Sequence, residues 1–298
     1  MENMVQFYRV ETITDTHVGT GESGFGFIDQ LIQRDSATGY PCFNSTGMKG
    51  AIKQHVDTFL KKNEAESEMD FKKRKSNLMT EIFGSDSTAN RAGTPTITQQ
   101  GDSNFFAAHL LALPVRTNKV SFLLTTSPEL IGFYEHLKEM LGQKVQDSLY
   151  EIVKSLVSDS TPNQGICFDN NYVGAELDIV GTSLSYIQNN AIILPKLKTF
   201  FNVENNRIAL VSDQTMAELC SDLYLPVITR NAIDDGESQN LWYEQILPRF
   251  SRLYFSNIWK NDVHQKFVED TLLGVNKSAL QVGGNASVSY GFTSISKL

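Results

Sequence analysis

One histidine, one aspartate and a lysine–glycine pair carry the chemistry that can be read from this chain. His17 opens the stretch His17-Val-Gly-Thr-Gly-Glu-Ser-Gly-Phe-Gly-Phe-Ile-Asp29, and Asp29 closes it. Between them lie Gly19, Gly21, Gly24 and Gly26, a density of glycine that lets main chain approach a ligand or turn where a Cβ would collide. An imidazole and a carboxylate are the groups that move protons near neutral pH, and a carboxylate can also hold a divalent ion. Gly47-Met-Lys49-Gly50-Ala-Ile-Lys53 follows and opens a helix. Free N–H groups at a helix start attract phosphate, Lys49 adds a point charge, and Lys53 falls on the same face one turn later. Glycine loop, acid, then lysine at a helix start is the layout of a polyanion site. Plainer readings stay open: Asp29 capping its loop or pairing with Arg34, His17 bonded to main chain, and Lys49 on an ordinary surface helix.

Two familiar phosphate motifs are excluded. Gly19-Thr-Gly21 running on to Gly24 has the letters of a dinucleotide fingerprint, but the next element reads as a strand, where that fingerprint needs a helix. No Gly-Lys-Ser/Thr follows, so the loop is not a P-loop. His55, His109, His136 and His264 show no metal-ligand spacing. Cys42, Cys167 and Cys220 lie far apart, which fits a reducing cytoplasm better than a disulfide framework. The start Met1-Glu-Asn-Met-Val-Gln has neither the basic nor the apolar region of a signal peptide. No stretch approaches the length needed to cross a bilayer. The formal net charge of −8 argues against a free-standing nucleic-acid binder, which normally needs a cationic face. A local basic groove supplied by Arg34, Lys49 and Lys53 remains compatible with it.

The elements that must position these residues mix helix and strand without a regular βαβ repeat, which predicts an α+β protein. Residues 5–13 alternate apolar and polar and read as a strand, and 27–33 as a second. A helix is expected from about Gly47 to Lys61, capped by Ser45 or Thr46, with Ile52, Val56, Phe59 and Leu60 on one face. The charged run Lys61 to Lys75 reads as a solvated helix or insertion. Residues 83–100 read as loop, 105–115 and 120–126 as strands, 129–157 as helix, and 169–194 as strand and loop. Two strands around Asp234-Asp-Gly-Glu-Ser238 form a predicted hairpin, with Leu241, Trp242 and Tyr243 on its second arm. A strand at 252–255, a helix at 263–273 ended by Gly274, and two short strands around the terminal glycines complete the chain.

Six blocks in order resemble the RAMP superfamily of CRISPR proteins, and within it the backbone subunits of type III-B (Cmr) effector complexes. They are His17-Val-Gly-Thr-Gly21 with Ile28-Asp-Gln-Leu-Ile-Gln-Arg34 and Thr38-Gly-Tyr-Pro41; Gly47-Met-Lys-Gly-Ala51; Ile82-Phe-Gly-Ser85; Leu110-Leu-Ala-Leu-Pro-Val-Arg116 with Thr126-Ser-Pro128; Leu241-Trp-Tyr-Glu-Gln-Ile-Leu-Pro248; and Leu280-Gln-Val-Gly-Gly284. The pattern departs at Ala107, where an acidic residue is usual, at the loop before Lys49, and at Ser289, where glycine is expected.

The resemblance implies a single domain over 1–298, built on a modified ferredoxin-like (RNA-recognition) core. It adds a helical and loop insertion at 57–103 and a β-hairpin "thumb" at 222–247. It implies a cytoplasmic ribonucleoprotein in which copies of the chain stack with other Cmr-type subunits along a CRISPR RNA. The guide pairs with target RNA, and the thumb splays nucleotides between them. Asp29 is then the catalytic residue for target cleavage, as base or as ligand of a divalent metal, Mg or Mn. His17 and Glu244 are candidate assistants. Gly19, Gly21, Lys49, Gly50, Lys53, Gly283, Gly284 and Trp242 are candidate RNA contacts, Trp242 by stacking. The alternative within the same resemblance is a scaffold that binds the guide and cuts nothing.

Overall fold

Alternation along the first strand decides which side of the sheet receives each helix. β1 (Met4–Thr12) points Tyr8 and Val10 to one face and Phe7 to the other. The computed structural model describes residues 4–21, 26–85, 99–157, 164–177, 182–187, 191–234, 237–273 and 279–298. After β1 come β2 (Cys42–Phe43), α1 (Ser45–Phe59), α2 (Glu68–Phe83), β3 (Ser103–Phe105), β4 (Ala108–Val115) and β5 (Leu123–Thr126). Next are α3 (Pro128–Met140), α4 (Leu149–Lys154), β6 (Gln164–Cys167), β7 (Glu176–Leu177), β8 (Thr182–Tyr186), α5 (Ile193–Phe201), β9 (Ile208–Leu210) and α6 (Asp213–Leu219). The chain closes with β10 (Val227–Asp234), β11 (Glu237–Gln245), β12 (Arg252–Trp259), α7 (Asp262–Leu273), β13 (Leu280–Gln281) and β14 (Phe292–Lys297).

The main sheet runs β13-β14-β1-β12-β4-β5-β9-β6-β8-β7, with β2 on β4 and β3 on β12. Its centre, β14-β1-β12-β4, is antiparallel throughout. With α1 following β1 and α7 joining β12 to β14, these elements make a βαββαβ unit of ferredoxin-like order. The fold is therefore the expected α+β one. On one face Tyr8 and Val10 share a core with Met48, Ile52 and Val56 of α1 and with Val268 and Leu272 of α7. On the other, Phe7 packs with Ile131 and Tyr134 of α3 and with Leu197 and Phe201 of α5. Full burial of each such side chain contributes roughly 1.5–3 kcal/mol.

Local readings differ from the structure in several places. Helix α1 starts at Ser45, with Asn44 at its cap and no side-chain capping bond, so neither Ser45 nor Thr46 caps it. Residues 27–33 form no strand; single bridges join Gly19 to Ile32, Gln30 to Glu244 and Arg34 to Pro41. The helix expected over 129–157 is two helices. The Glu135 carboxylate accepts from the amides of Leu149 and Tyr150 and from Ser148 Oγ, which starts α4 as a separate element. Helix α5 begins inside the stretch read as strand and loop. The charged run builds the start of α2, and its charges pair locally: Arg74 with Glu66 at 2.8 Å, Lys75 with Asp57 at 2.9 Å. The stretch 57–103, expected as an insertion, begins in the last turn of α1, holds α2 and ends at the first residue of β3; 86–98 lie outside the described residues. A larger addition, from β5 to α6 along the chain, extends the sheet outward beyond β4.

Candidate nucleic-acid interface

The hairpin β10–β11 is a separate two-stranded sheet, and its base carries the candidate site. Its tip, Asp235 and Gly236, lies outside the described residues, as do Gly24 and Gly274. Strand β11 runs beside the glycine loop and the ribbon that follows it. Tyr243 O accepts the amides of both Asp29 and Gln30, each at 3.1 Å, and Gln245 N–H donates to Gln30 O at 2.9 Å. Within the ribbon, Gln33 N–H donates to Val18 O at 2.8 Å and Gln33 Nε2 to Gly19 O at 3.1 Å. Gln33 Oε1 accepts from Asn44 N at 2.8 Å. One glutamine thus links the glycine loop to the start of α1.

Asp29 is exposed, and its Oδ2 accepts the Tyr243 amide at 2.8 Å. The Tyr243 carbonyl accepts the Asp29 amide, so the same residue holds Asp29 by both its side chain and its main chain. Among the described residues Oδ1 accepts no hydrogen bond. The pairing with Arg34 does not form. Arg34 donates to Asp222 at 2.7 Å, to Gly39 O at 2.8 Å and to Cys220 O at 2.5 Å. That removes Arg34 from any basic groove. Beside Asp29, Phe27 is 78% exposed, and its ring stacks on Tyr243 with centroids 4.7 Å apart.

His17 occupies a different environment from the one expected of a proton donor. Its ring is buried, and Nδ1–H donates to Gln245 O at 2.7 Å; a carbonyl can only accept, so the proton sits on Nδ1. The other nitrogen faces Gly19, where a Cβ would lie 2.8 Å from Nε2. Gly19 is therefore glycine to make room for the imidazole. Gly284 N–H donates to His17 O at 3.1 Å, and Gly283, at φ +85°, would place a Cβ 2.3 Å from that same oxygen. His17 is thus a buried pin joining the glycine loop, β11 and the terminal glycines. The amide of Gly284, a candidate RNA contact, is engaged inside the chain and so is not free to meet a phosphate. Gly21, also at positive φ, is exposed with open space around it.

Glu244 is 3% exposed and fully engaged. Oε1 accepts Trp242 Nε1–H at 2.7 Å; Oε2 accepts Asn285 Nδ2 at 3.0 Å and Arg230 at 3.4 Å. The Arg230 guanidinium lies between the Trp242 and Tyr290 rings, 5.8 and 5.7 Å from their centroids. This half-buried cluster ties both hairpin arms to the terminal loop, so Glu244, buried at its centre, does not present a free carboxylate to a substrate. Trp242 is half-buried, with Arg230 on its ring and its N–H held.

The structure brings Gly50 and Gly283 together. Both line a groove of about 430 Å³ whose wall mixes small residues, Thr46, Gly47 and Ala51, with the larger His55, Phe59 and Phe292. Lys49 and Lys53 are half-buried on the same helix and do not line it. No group of three or more His, Cys, Asp or Glu suited to a metal forms among the described residues. All three cysteines are free and buried; burial pushes the Cys42 thiol up to about 11 and that of Cys220 up to about 12, so neither supplies a thiolate. No helix among the described residues is long and apolar enough to cross a membrane.

Three residues escaped the sequence reading. Gln245, fully buried, accepts His17 on its carbonyl, takes Ile32 N and Arg34 on Oε1, and donates to Asp222. Arg230 and Phe27 complete the set. A large aromatic beside a glycine was the only available signal, at Phe27.

Comparison with known proteins places this geometry. The RAMP superfamily pattern matches residues 9–294. The CRISPR system Cmr endoribonuclease Cmr4 of Pyrococcus furiosus is 25% identical over 302 aligned residues, covering 95% of this chain and 92% of that protein. Among solved structures, a chain of the type III-B Cmr-beta complex bound to cognate target RNA superposes with a TM-score of 0.71 at 18% identity, covering 99% of this chain and 97% of the other. Oligomeric Cmr4 from Pyrococcus furiosus gives 0.64 at 19% identity, covering 100% and 99%. The family match spans nearly the whole chain, and it agrees with the ferredoxin-like centre and the appended hairpin: the chain belongs to the RAMP superfamily.

Proposed function

We propose that this chain is a backbone subunit of a type III-B CRISPR ribonucleoprotein, that it holds CRISPR RNA with further copies of itself and other Cmr-type subunits, and that it cleaves the paired target RNA through Asp29. The observation that carries the reading is the exposed Asp29, bracketed by the main chain of Tyr243, with Oδ1 unpaired among the described residues. The relative that is 25% identical is an endoribonuclease of the Cmr system, and the structural neighbours include a Cmr complex with target RNA and a Cmr4 oligomer. A net charge of −8 fits a subunit whose RNA channel is completed by other chains, in the cytoplasm where such complexes meet transcripts.

In this reading Asp29 Oδ1 accepts the proton of the 2′-hydroxyl beside the scissile phosphate. The hydroxyl oxygen attacks phosphorus, the bond to the 5′-oxygen breaks, and the products are a 2′,3′-cyclic phosphate and a 5′-hydroxyl that takes up a proton. The Tyr243 amide holds Oδ2 and so orients Oδ1. The groove at Gly47, Gly50 and Gly283 admits backbone phosphates close to main chain. A single open carboxylate fits a magnesium-type ion, which is commonly held by one or two carboxylates together with substrate phosphates. When bound by Asp29, such an ion would supply positive charge at the phosphate and lower the pKa of a coordinated hydroxyl.

Asp29→Ala in the reconstituted complex tests the assignment. The expected result is loss of cleavage of a guide-complementary RNA, with assembly and target affinity unchanged. Full cleavage by the variant refutes Asp29 as the catalytic group and leaves the scaffold reading. Addition of a chelator with wild-type protein tests the ion, with cleavage expected to stop and to return when Mg or Mn is restored.

A further inference from the structure

We infer that Phe27 and Tyr243 form a stacking site for one nucleobase of the strand cut at Asp29. The inference rests on the cleavage reading above for the identity of that strand. Its own support is geometric. Phe27 leaves 78% of its surface in water while one face lies on Tyr243 at 4.7 Å and an interplanar angle of 29°. A ring held flat by a second ring and open on its other side is a platform suited to a base, because every base has a π-face. Tyr243 also joins the platform to the acid: its ring carries Phe27, its amide holds Asp29 Oδ2 at 2.8 Å, and its carbonyl holds the Asp29 amide at 3.1 Å. A base seated on Phe27 would be anchored within two residues of the group that takes the proton. Trp242, the other aromatic on this arm, is engaged by Glu244 and Arg230, so among the described residues the open stacking surface here belongs to Phe27.

A seated base takes its nucleotide out of the regular helical stack and holds the sugar relative to the carboxylate. Phe27 acts on the reaction as a positioning residue, through the substrate. Stacking on an aromatic side chain is worth about 1–3 kcal/mol per base, which is about fivefold to 160-fold in rate when realised at the transition state.

The test uses the assembled complex with Phe27→Ala, Phe27→Leu and Phe27→Trp. Phe27→Ala and Phe27→Leu are expected to slow single-turnover cleavage by about tenfold or more, with target affinity nearly unchanged. Phe27→Trp should restore it. On a target with an abasic nucleotide at the position beside the cut, wild type and Phe27→Ala should cleave at the same reduced rate. A second readout does not depend on cleavage. With Asp29→Asn present, a target carrying 2-aminopurine at that position should be quenched on binding, and Phe27→Ala should brighten it. Wild-type behaviour of Phe27→Leu overturns the stacking site in favour of simple apolar packing. An equal penalty for Phe27→Ala on the abasic target overturns it in favour of a structural effect on Asp29. Absence of cleavage by the wild-type complex, with the fluorescence result as expected, fails the cleavage reading and leaves the stacking site standing.

Discussion

Replacing Glu244 by glutamine keeps the side chain's shape and removes only its charge and one acceptor, which makes it a sharp probe of the hairpin base. The carboxylate takes Trp242 Nε1–H on one oxygen and Asn285 and Arg230 on the other. A carboxamide has one acceptor oxygen. Its NH₂ must oppose either the indole N–H or the Asn285 and Arg230 donors. Losing a hydrogen bond to a charged group costs about 1.5–3 kcal/mol, and the opposed buried donor adds about 1–3. Arg230 is 22% exposed in its side chain and recovers part of its share from water, so the net is about 3 kcal/mol. Over 298 residues the melting entropy is about 0.6 kcal/mol per kelvin, so Tm should fall by about 5 °C. The damage should be local as well: hydrogen exchange should quicken at the amides of 227–231 and 241–245 before it does in β1 or β12. Because Tyr243 places Asp29, cleavage by the assembled variant should slow while its target affinity holds. A melting point within about 1 °C of wild type, with unchanged exchange in the hairpin, would refute the claim that this carboxylate secures the base.

Gly283→Ala should be costly for a different reason: at φ +85° a Cβ meets His17 O at 2.3 Å. The left-handed backbone alone costs about 1–2 kcal/mol, and the collision must displace residues 17–18, so the denaturation midpoint should drop with the m-value unchanged. Ser289 already sits at φ +65°, the position where the family resemblance led us to expect glycine. Ser289→Gly should raise the unfolding free energy by up to about 1 kcal/mol after glycine's extra unfolded-state entropy is subtracted, and a drop would argue against strain there. Burial holds His55 and His109 below the ordinary 6.5, so the unfolded chain binds more protons than the folded one as pH falls through that value. Their contribution is present above pH 6.5 and lost as pH falls from it through the lowered folded values. Tm measured from pH 7.5 downward should therefore decline from about 6.5, and His55→Gln should flatten that decline; a profile flat between pH 7.5 and 5 would contradict it.

The parts of this molecule that were legible in the sequence are those whose pattern is local. The alternation of β1 was visible because each face of the strand meets a different apolar layer. The hairpin was visible because its strands lie next to each other in the chain and share one polar turn. The additions β6 to β9 were not, since strands of two to five residues are shorter than the window over which a period can be read. Residues 27–33 have the apolar content of a strand but meet their neighbours through single bridges, a distinction that depends on where β11 runs. The site shows the same limit. Asp29 stands in a motif and could be named. The buried role of His17 depends on a carbonyl 228 residues away, and Arg34 pairs 188 residues along the chain with Asp222. Gln245 has no motif at all, because its importance lies in the number of distant segments that converge on it.

The hold on Asp29 comes from the peptide groups of residue 243, and this has a consequence for how the chain tolerates change. A side chain that positions an acid ties both to one evolutionary fate, since losing either ruins the pair. A peptide N–H and C=O are supplied by nineteen of the twenty amino acids, proline alone lacking the donor. Residue 243 can therefore drift in size, polarity or aromaticity while the carboxylate keeps its place. The aromatic character of this arm is free to be tuned for whichever nucleotide it meets, independently of the acid beside it.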